Sequence, residues 1–446
     1  MDFLLRNAIV VNEGRQHVAN IHISDGIITV IDNTLSLSGK SGAVEMDLTG
    51  LYLLPGVIDE HVHFRDPGFT YKADMESESR AAVAGGVTSF MDMPNTNPQT
   101  TTSQLVEDKC HYAEGRCHAN YGFYLGATND NIDEIKSVNP NSVPGVKVFV
   151  GSSTGNMLTD DEAVLDRIFA ESPALIAVHS EDEALIRQNL QNAKQLYGDN
   201  PDASVHPFIR NSEVCFNASK RVVELAKKHN SRLHLLHVTT ERELSLFSPE
   251  TIQSKTITAE VTVNHLWFDE RDYAAKSNMI KCNPAIKGES DKLALRQALA
   301  EGLIDTIGTD HAPHTLEEKM RPYYQAPSGM PSIQHSLLAM LEMSKNGIFK
   351  LEMIPVWMSH NPAICYKIHN RGFIREGYAA DLTVVDLHSG TRVTRGNYYY
   401  KCGWSPFDGT VFTSKIRYTF VNGCIAYDGI SIVGTPNGKR LFFNWN

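Results

Sequence analysis

The stretch LLPGVIDEHVHF, residues 53–64, decides the architecture. It is an apolar run that ends in His61-Val62-His63, so a segment built for burial closes on two imidazoles. On a strand, residues i and i+2 face the same side, which sets His61 beside His63 at a strand end. Two imidazoles placed this way are a ready chelate for a metal ion. Because His-x-His also arises by chance, the reading depends on whether other segments end in the same manner.

Several do. Working outward, seven further apolar, β-branched runs follow: GGVTSFMDMP (85–94), NYGFYLGA (120–127), GVKVFVG (145–151), ALIAVHSE (174–181), RLHLLHVT (232–239), TITAEVTV (256–263) and LIDTIGTDHA (303–312). The fifth ends near His179, the sixth near His237 and the eighth near Asp310, and Lys147 lies within the fourth. Burying such groups without partners is costly, so a shared metal site explains them better than a separate structural reason for each. Between the runs lie helix-like segments such as MESESRAAVA, DDEAVLDRIFA and SKRVVELAKKH. Strands alternating with helices give parallel βαβ units. Eight of them predict an α/β fold, a (β/α)8 TIM-like barrel with its chemistry at the C-terminal strand ends. An open doubly wound sheet is the alternative, but no Gly-rich phosphate loop follows the first strand.

Both chain ends read differently. FLLRNAIVV, ANIHISDG and IITVIDN near the start, and ADLTVVDL and YTFVNGCIAYDG near the end, are short strands with turns. Neither set is large enough for a stable sheet alone, so the two ends are expected to pair into one small β-sandwich domain. The expected division is 1–52 and 366–446 for that domain and 53–365 for the barrel.

Composition narrows the function classes. The 446 residues carry a net charge of −11, with 42% hydrophobic and 21% charged residues. An acidic chain without basic clusters argues against nucleic acid or anionic membranes as partners. No run approaches the ~20 apolar residues of a membrane span, and MDFLLRNAIVVNEG does not read as a signal peptide. The seven cysteines are scattered and lack any Cys-x-x-Cys, which suggests reduced thiols and a cytoplasmic setting. Lys147 stands in a strongly apolar strand, where burial depresses a lysine pKa and frees a neutral amine.

These motifs carry a resemblance. GVIDEHVHFRDPG, MPNTNP, GVKVF, AVHSED, LHLLHVT and GTDHAPH resemble the amidohydrolase superfamily, in particular its cyclic-amide hydrolases and, among these, the longer class I dihydroorotases. The resemblance implies two divalent metal ions, zinc first among candidates. His61, His63 and Asp310 would hold the more buried ion, and His179 and His237 the other. A carbamylated Lys147 and a hydroxide would bridge the two. His63, Arg65, Asn95 and His314 would contact the substrate, chiefly its carboxylate. Asn283 would meet the ring, and Ala326-Pro327-Ser328-Gly329 would approach it through backbone, with Ser328 and Gly329 nearest. Asp310 would act as general base and then acid in the reversible hydrolysis of L-dihydroorotate to N-carbamoyl-L-aspartate, a step of pyrimidine synthesis. The partner is then a small molecule, and a homo-oligomer such as a dimer is implied. Hydantoinase, dihydropyrimidinase and allantoinase chemistry shares the metal site, and a non-catalytic homologue is the remaining rival. Arg65 separates the substrate classes, since its planar fork suits a carboxylate. A structural ion pair with Asp66 or Glu60 is the plainer role for it. His234 and His311 should face away from the site, the roles of His265 and Lys287 stay open, and 315–330 reads as a long loop suited to act as a lid.

Overall fold

The computed structural model describes residues 2–34, 42–151, 157–159 and 161–445. Residues 35–41, in the expected N-terminal strand region, and Asp160, the first residue of the segment DDEAVLDRIFA, lie outside the described residues.

Each of the eight apolar runs forms a strand: Val57–Val62, Val87–Asp92, Asn120–Phe123 continued by Leu125–Gly126, Val146–Val150, Ile176–Ser180, Leu233–Leu235, Ile257–Thr262 and Thr306–Gly308. Each pairs in parallel with the next. The third is broken at Tyr124, whose hydroxyl is drawn inward between Glu60 O (3.0 Å) and the Tyr366 hydroxyl (2.9 Å). The eighth returns to the first through a parallel bridge between Val62 and His311 and a bond from His63 N–H to His311 O at 2.7 Å. The strands are buried on both faces, as parallel strands covered by helices must be.

Helix caps fix the loops that carry chemistry. Asp182 caps Glu183–Tyr197 through Leu185 N–H, which sets the turn directly after His179 and Glu181. Asn211 caps Ser212–His229, and Lys227, Lys228 and His229 complement the dipole in the last turn. An apolar cluster packs below the strand ends, where Ile58, Met91, Leu175, Ala177 and Leu236 meet Tyr366, Leu441 and Phe443.

Strands from both chain ends share one eight-stranded sheet. Tyr52–Pro55 sits centrally, parallel to Phe3–Asn12 on one side and antiparallel to Leu382–Asp386 on the other. Leu5, Val10, Ile21, Leu53, Leu382, Val384 and Phe420 form a core of their own. The sheet docks on the barrel where Thr383 Oγ1–H donates to Gly86 O (2.8 Å) and Thr419 Oγ1–H to Val83 O (2.7 Å). Gly86 permits this approach: it has φ 83°, and a Cβ there would meet Thr383 Cγ2 at 2.6 Å.

Candidate metal-dependent active site

A cleft of about 430 Å³, open mouth included, lies at the C-terminal ends of the barrel strands. It is lined by His61, His63, Arg65, Asn95, Lys147, His179, His237, Asn283, Asp310, Ser328 and Gly329, together with Phe149 and Ala312. Of the residues given a metal or substrate role from sequence, His314, Ala326 and Pro327 are not part of the lining. His314 stands behind Arg65 and Ser328.

Hydrogen bonds set the histidine tautomers. His61 Nδ1–H donates to Glu260 Oε1 (2.9 Å), and His63 Nδ1–H donates to Asn95 Oδ1 (2.8 Å). Both rings therefore turn Nε2 lone pairs toward Asp310 Oδ1, at 3.3 and 3.1 Å. Burial pushes His61 down to about 3 and His63 to about 4, so both are neutral ligand donors at physiological pH. Burial opposes ionisation of Asp310, but His61, His63 and Lys147 hold its carboxyl below the ordinary range. Two imidazole nitrogens and a carboxylate oxygen thus meet within 4.8 Å, all of them acceptors. A divalent cation fits that donor set, and little else does.

The second pair is similar. His179 Nδ1 lies 2.8 Å from His237 Nε2, two ring nitrogens facing each other. Glu181 Oε2 lies 3.2 Å from His179 Nε2 and pairs with Arg210 Nη1, which orients the ring from behind. Lys147 is fully buried, and its Nζ has no hydrogen-bond partner among the described residues. Burial lowers it to about 7, which leaves a substantial neutral fraction. The amine thus lines the same cleft as the four histidines without a hydrogen-bond partner among the described residues.

Three of these residues hold left-handed backbone: Arg65 (φ 65°), His237 (φ 40°) and Asp310 (φ 47°). Each such residue costs on the order of 1–3 kcal/mol and persists where its surroundings over-determine it. Their strand ends turn sharply and aim the side chains into the cleft.

Arg65 is buried, its Nε–H donating to Pro313 O (3.2 Å) and its Nη2 lying 3.2 Å from His314 Nε2. Neither Asp66 nor Glu60 is its partner in these contacts. His314 donates from Nε2 to Ser328 O (3.0 Å) and accepts at Nδ1 from Lys72 Nζ (3.0 Å). Burial, with Arg65, Lys72 and Lys319 nearby, keeps His314 well below its usual pKa, so Arg65 and Lys72 bring the positive charge here. Asn283 Oδ1 is held by His206 (3.1 Å). His265 bonds Thr262 and the Pro284 carbonyl, His311 bonds Glu78, and Lys287 bonds Ala285 O. None of these three lines the cleft.

The loop 315–330 is pinned from within. Lys319 Nζ donates to Lys281 O (3.2 Å), Pro327 O (2.9 Å) and Gly329 O (2.8 Å), and Lys281 Nζ donates to Tyr323 O and Ala326 O. Sequence reading passed over both lysines, because their partners are carbonyls and carry no residue-type signal. Lys319→Met should release the Ser328-Gly329 backbone. The expected result is a loss of about 3 kcal/mol of stability, from orphaned carbonyls, seen in denaturant unfolding. With it should come a larger rise in KM than fall in kcat.

The chain belongs to the amidohydrolase family, which it matches over residues 52–426. Among characterised relatives it is 30% identical over 409 residues to a dihydroorotase of Methanosphaera stadtmanae, covering 92% of this chain and 93% of that one. It is 31% identical over 436 residues to a dihydroorotase of Methanothermobacter thermautotrophicus, covering 96% and 95%. Among solved structures, the L-hydantoinase (dihydropyrimidinase) from Arthrobacter aurescens superposes with a TM-score of 0.93 at 26% identity, covering 99% of both chains. The family is metal-dependent, in keeping with the donors gathered in the cleft.

Proposed function

We propose that this protein is a dihydroorotase that interconverts L-dihydroorotate and N-carbamoyl-L-aspartate. The observation that carries the reading is Arg65: a buried guanidinium lining the same cleft as the metal donors, positioned for a substrate carboxylate. Hydantoin and dihydrouracil have no carboxylate to meet it. The names of the relatives point the same way.

His61, His63 and Asp310 would hold one divalent ion, and His179 and His237 a second, with zinc the first candidate and a carbamylated Lys147 as a shared ligand. Bound divalent ions bring the pKa of water toward ~7 and polarise a carbonyl. Asp310 accepts the proton of the attacking water and delivers it to the ring nitrogen as the C–N bond breaks. The oxygen ends in the new carboxylate and the proton on the carbamoyl nitrogen. Arg65 and Asn95 orient the substrate, with His314 packed behind Arg65. Asn283 and the Ser328-Gly329 backbone enclose the ring. The protein acts in the cytoplasm as a homo-oligomer, with a dimer the simplest form, on a small-molecule substrate.

The carbamate forms when the neutral Lys147 amine adds CO2, making one N–C bond and releasing one proton. Carbon-isotope-labelled bicarbonate should give a carbamate carbon resonance in the native protein, and Lys147→Ala should lack both that resonance and activity. A native protein without the resonance would leave Lys147 as a plain amine.

The likeness to the L-hydantoinase favours a second reading, hydrolysis of an uncharged cyclic amide. Metal-loaded protein assayed in parallel on dihydroorotate, hydantoin and allantoin separates the two. Dihydroorotate should be turned over with the highest kcat/KM. A preference for hydantoin or allantoin would reject the dihydroorotase assignment.

A further inference from the structure

Behind His61, away from the cleft, Glu60, His234 and Glu260 are each completely buried. None of them lines the cleft. One carboxylate oxygen from each glutamate and one ring nitrogen lie within 4.8 Å of one another. Yet both oxygens of Glu60, Glu260 Oε2 and His234 Nε2 lack any hydrogen-bond partner among the described residues.

The hydrogen-bond geometry leaves this gathering of polar atoms unsatisfied as it stands. His234 Nδ1 lies 2.8 Å from Thr258 Oγ1, which holds the ring. Its Nε2 is left without a partner among the described residues, beside the two glutamates. Glu260 Oε1 already accepts from His61 Nδ1–H (2.9 Å) and His237 N–H (3.0 Å), so only Oε2 turns inward. The hydroxyl of Thr306 lies beside the Glu60 carboxyl. Buried polar atoms left without partners are costly.

We propose that Glu60, His234 and Glu260 form a further cation site, separate from the donors around the cleft, that takes a divalent ion. One imidazole with two carboxylates suits an ion of borderline softness, such as zinc, manganese or ferrous iron. A ligating histidine normally has its other nitrogen held by a hydrogen bond, as Thr258 holds His234. The ion neutralises both glutamates. Glu260 then spans two centres, one oxygen on the lower ion and the other on the ring of His61. This inference does not depend on which cyclic amide is the substrate.

The test is anomalous diffraction at the zinc edge from crystals of the full-length, zinc-loaded protein, together with metal analysis in solution. We expect an anomalous peak enclosed by Glu60, His234 and Glu260, distinct from any at the cleft histidines. Glu60→Gln should lose that peak and one ion per chain while the cleft peaks stay. A native map with no peak among the three residues, showing a water or a carboxyl–carboxyl contact instead, overturns the proposal. So does a Glu60→Gln protein that keeps the peak. The native map decides the matter even if the variant does not fold.

Discussion

Replacing Arg65 by methionine is expected to lower kcat/KM for dihydroorotate roughly 10³-fold, the scale of removing one partner from a buried charge pair. Arg65 is 4% exposed and lines the cleft, so the substrate carboxylate would meet a desolvated guanidinium and not a hydrated surface charge. Methionine keeps the length of the side chain and removes its fork. Arg65→Lys restores charge without the two-pronged geometry and should recover only part of the loss. Metal content should not change, because Arg65 donates to Pro313 O and lies against His314, and neither belongs to the donor set. Near-normal kcat/KM on dihydroorotate in Arg65→Met would remove the observation on which the substrate class rests.

The second large effect is expected at Asp310. Asp310→Asn should lower kcat by about 10⁴-fold, the upper end of what a positioned acid–base group contributes. The wild-type carboxyl is held ionised by His61, His63 and Lys147 against the opposing effect of burial. An amide has no proton to exchange at any accessible pH, so raising the pH should not restore the rate. The amide would also be a weaker ligand than the carboxylate, so metal content must be measured beside the rate. Full metal occupancy with lost turnover assigns the defect to proton transfer. Retained turnover at full occupancy would show that another group moves the proton.

Much of the fold was legible because the barrel repeats one signal. Each apolar run had to be a strand covered on both sides, and each became one. The residues that line the cleft stood out for a related reason: an ionisable residue closing an apolar strand is conspicuous, as at His61, His179, His237 and Asp310. What escaped was non-local. Glu260 orients His61 from a strand far along the chain, and Arg210 backs Glu181 from a loop between helices. Lys72 reaches His314 from a segment far back in the chain. In sequence these are ordinary charged residues, and only the meeting of distant segments gives them a role. The left-handed turns at Arg65, His237 and Asp310 were equally hidden, since such backbone in a non-glycine residue is imposed by surroundings and not by local preference. The break at Tyr124 belongs to the same class, because Glu60 and Tyr366 draw its hydroxyl inward.

The central position of Tyr52–Pro55 in the terminal sheet has a bearing on biosynthesis. Leu53 pairs with Val384, so the strand that leads into the barrel cannot complete its own sheet until nearly the whole polypeptide has left the ribosome. At roughly 5–20 residues per second, that edge stays open for tens of seconds. During this interval the N-terminal hairpins offer an unpaired strand edge to any neighbouring nascent chain. A cell making this protein quickly is therefore expected to depend on chaperones that cover β edges early. Slower translation upstream of Leu382 would lengthen the exposure and should raise the aggregated fraction.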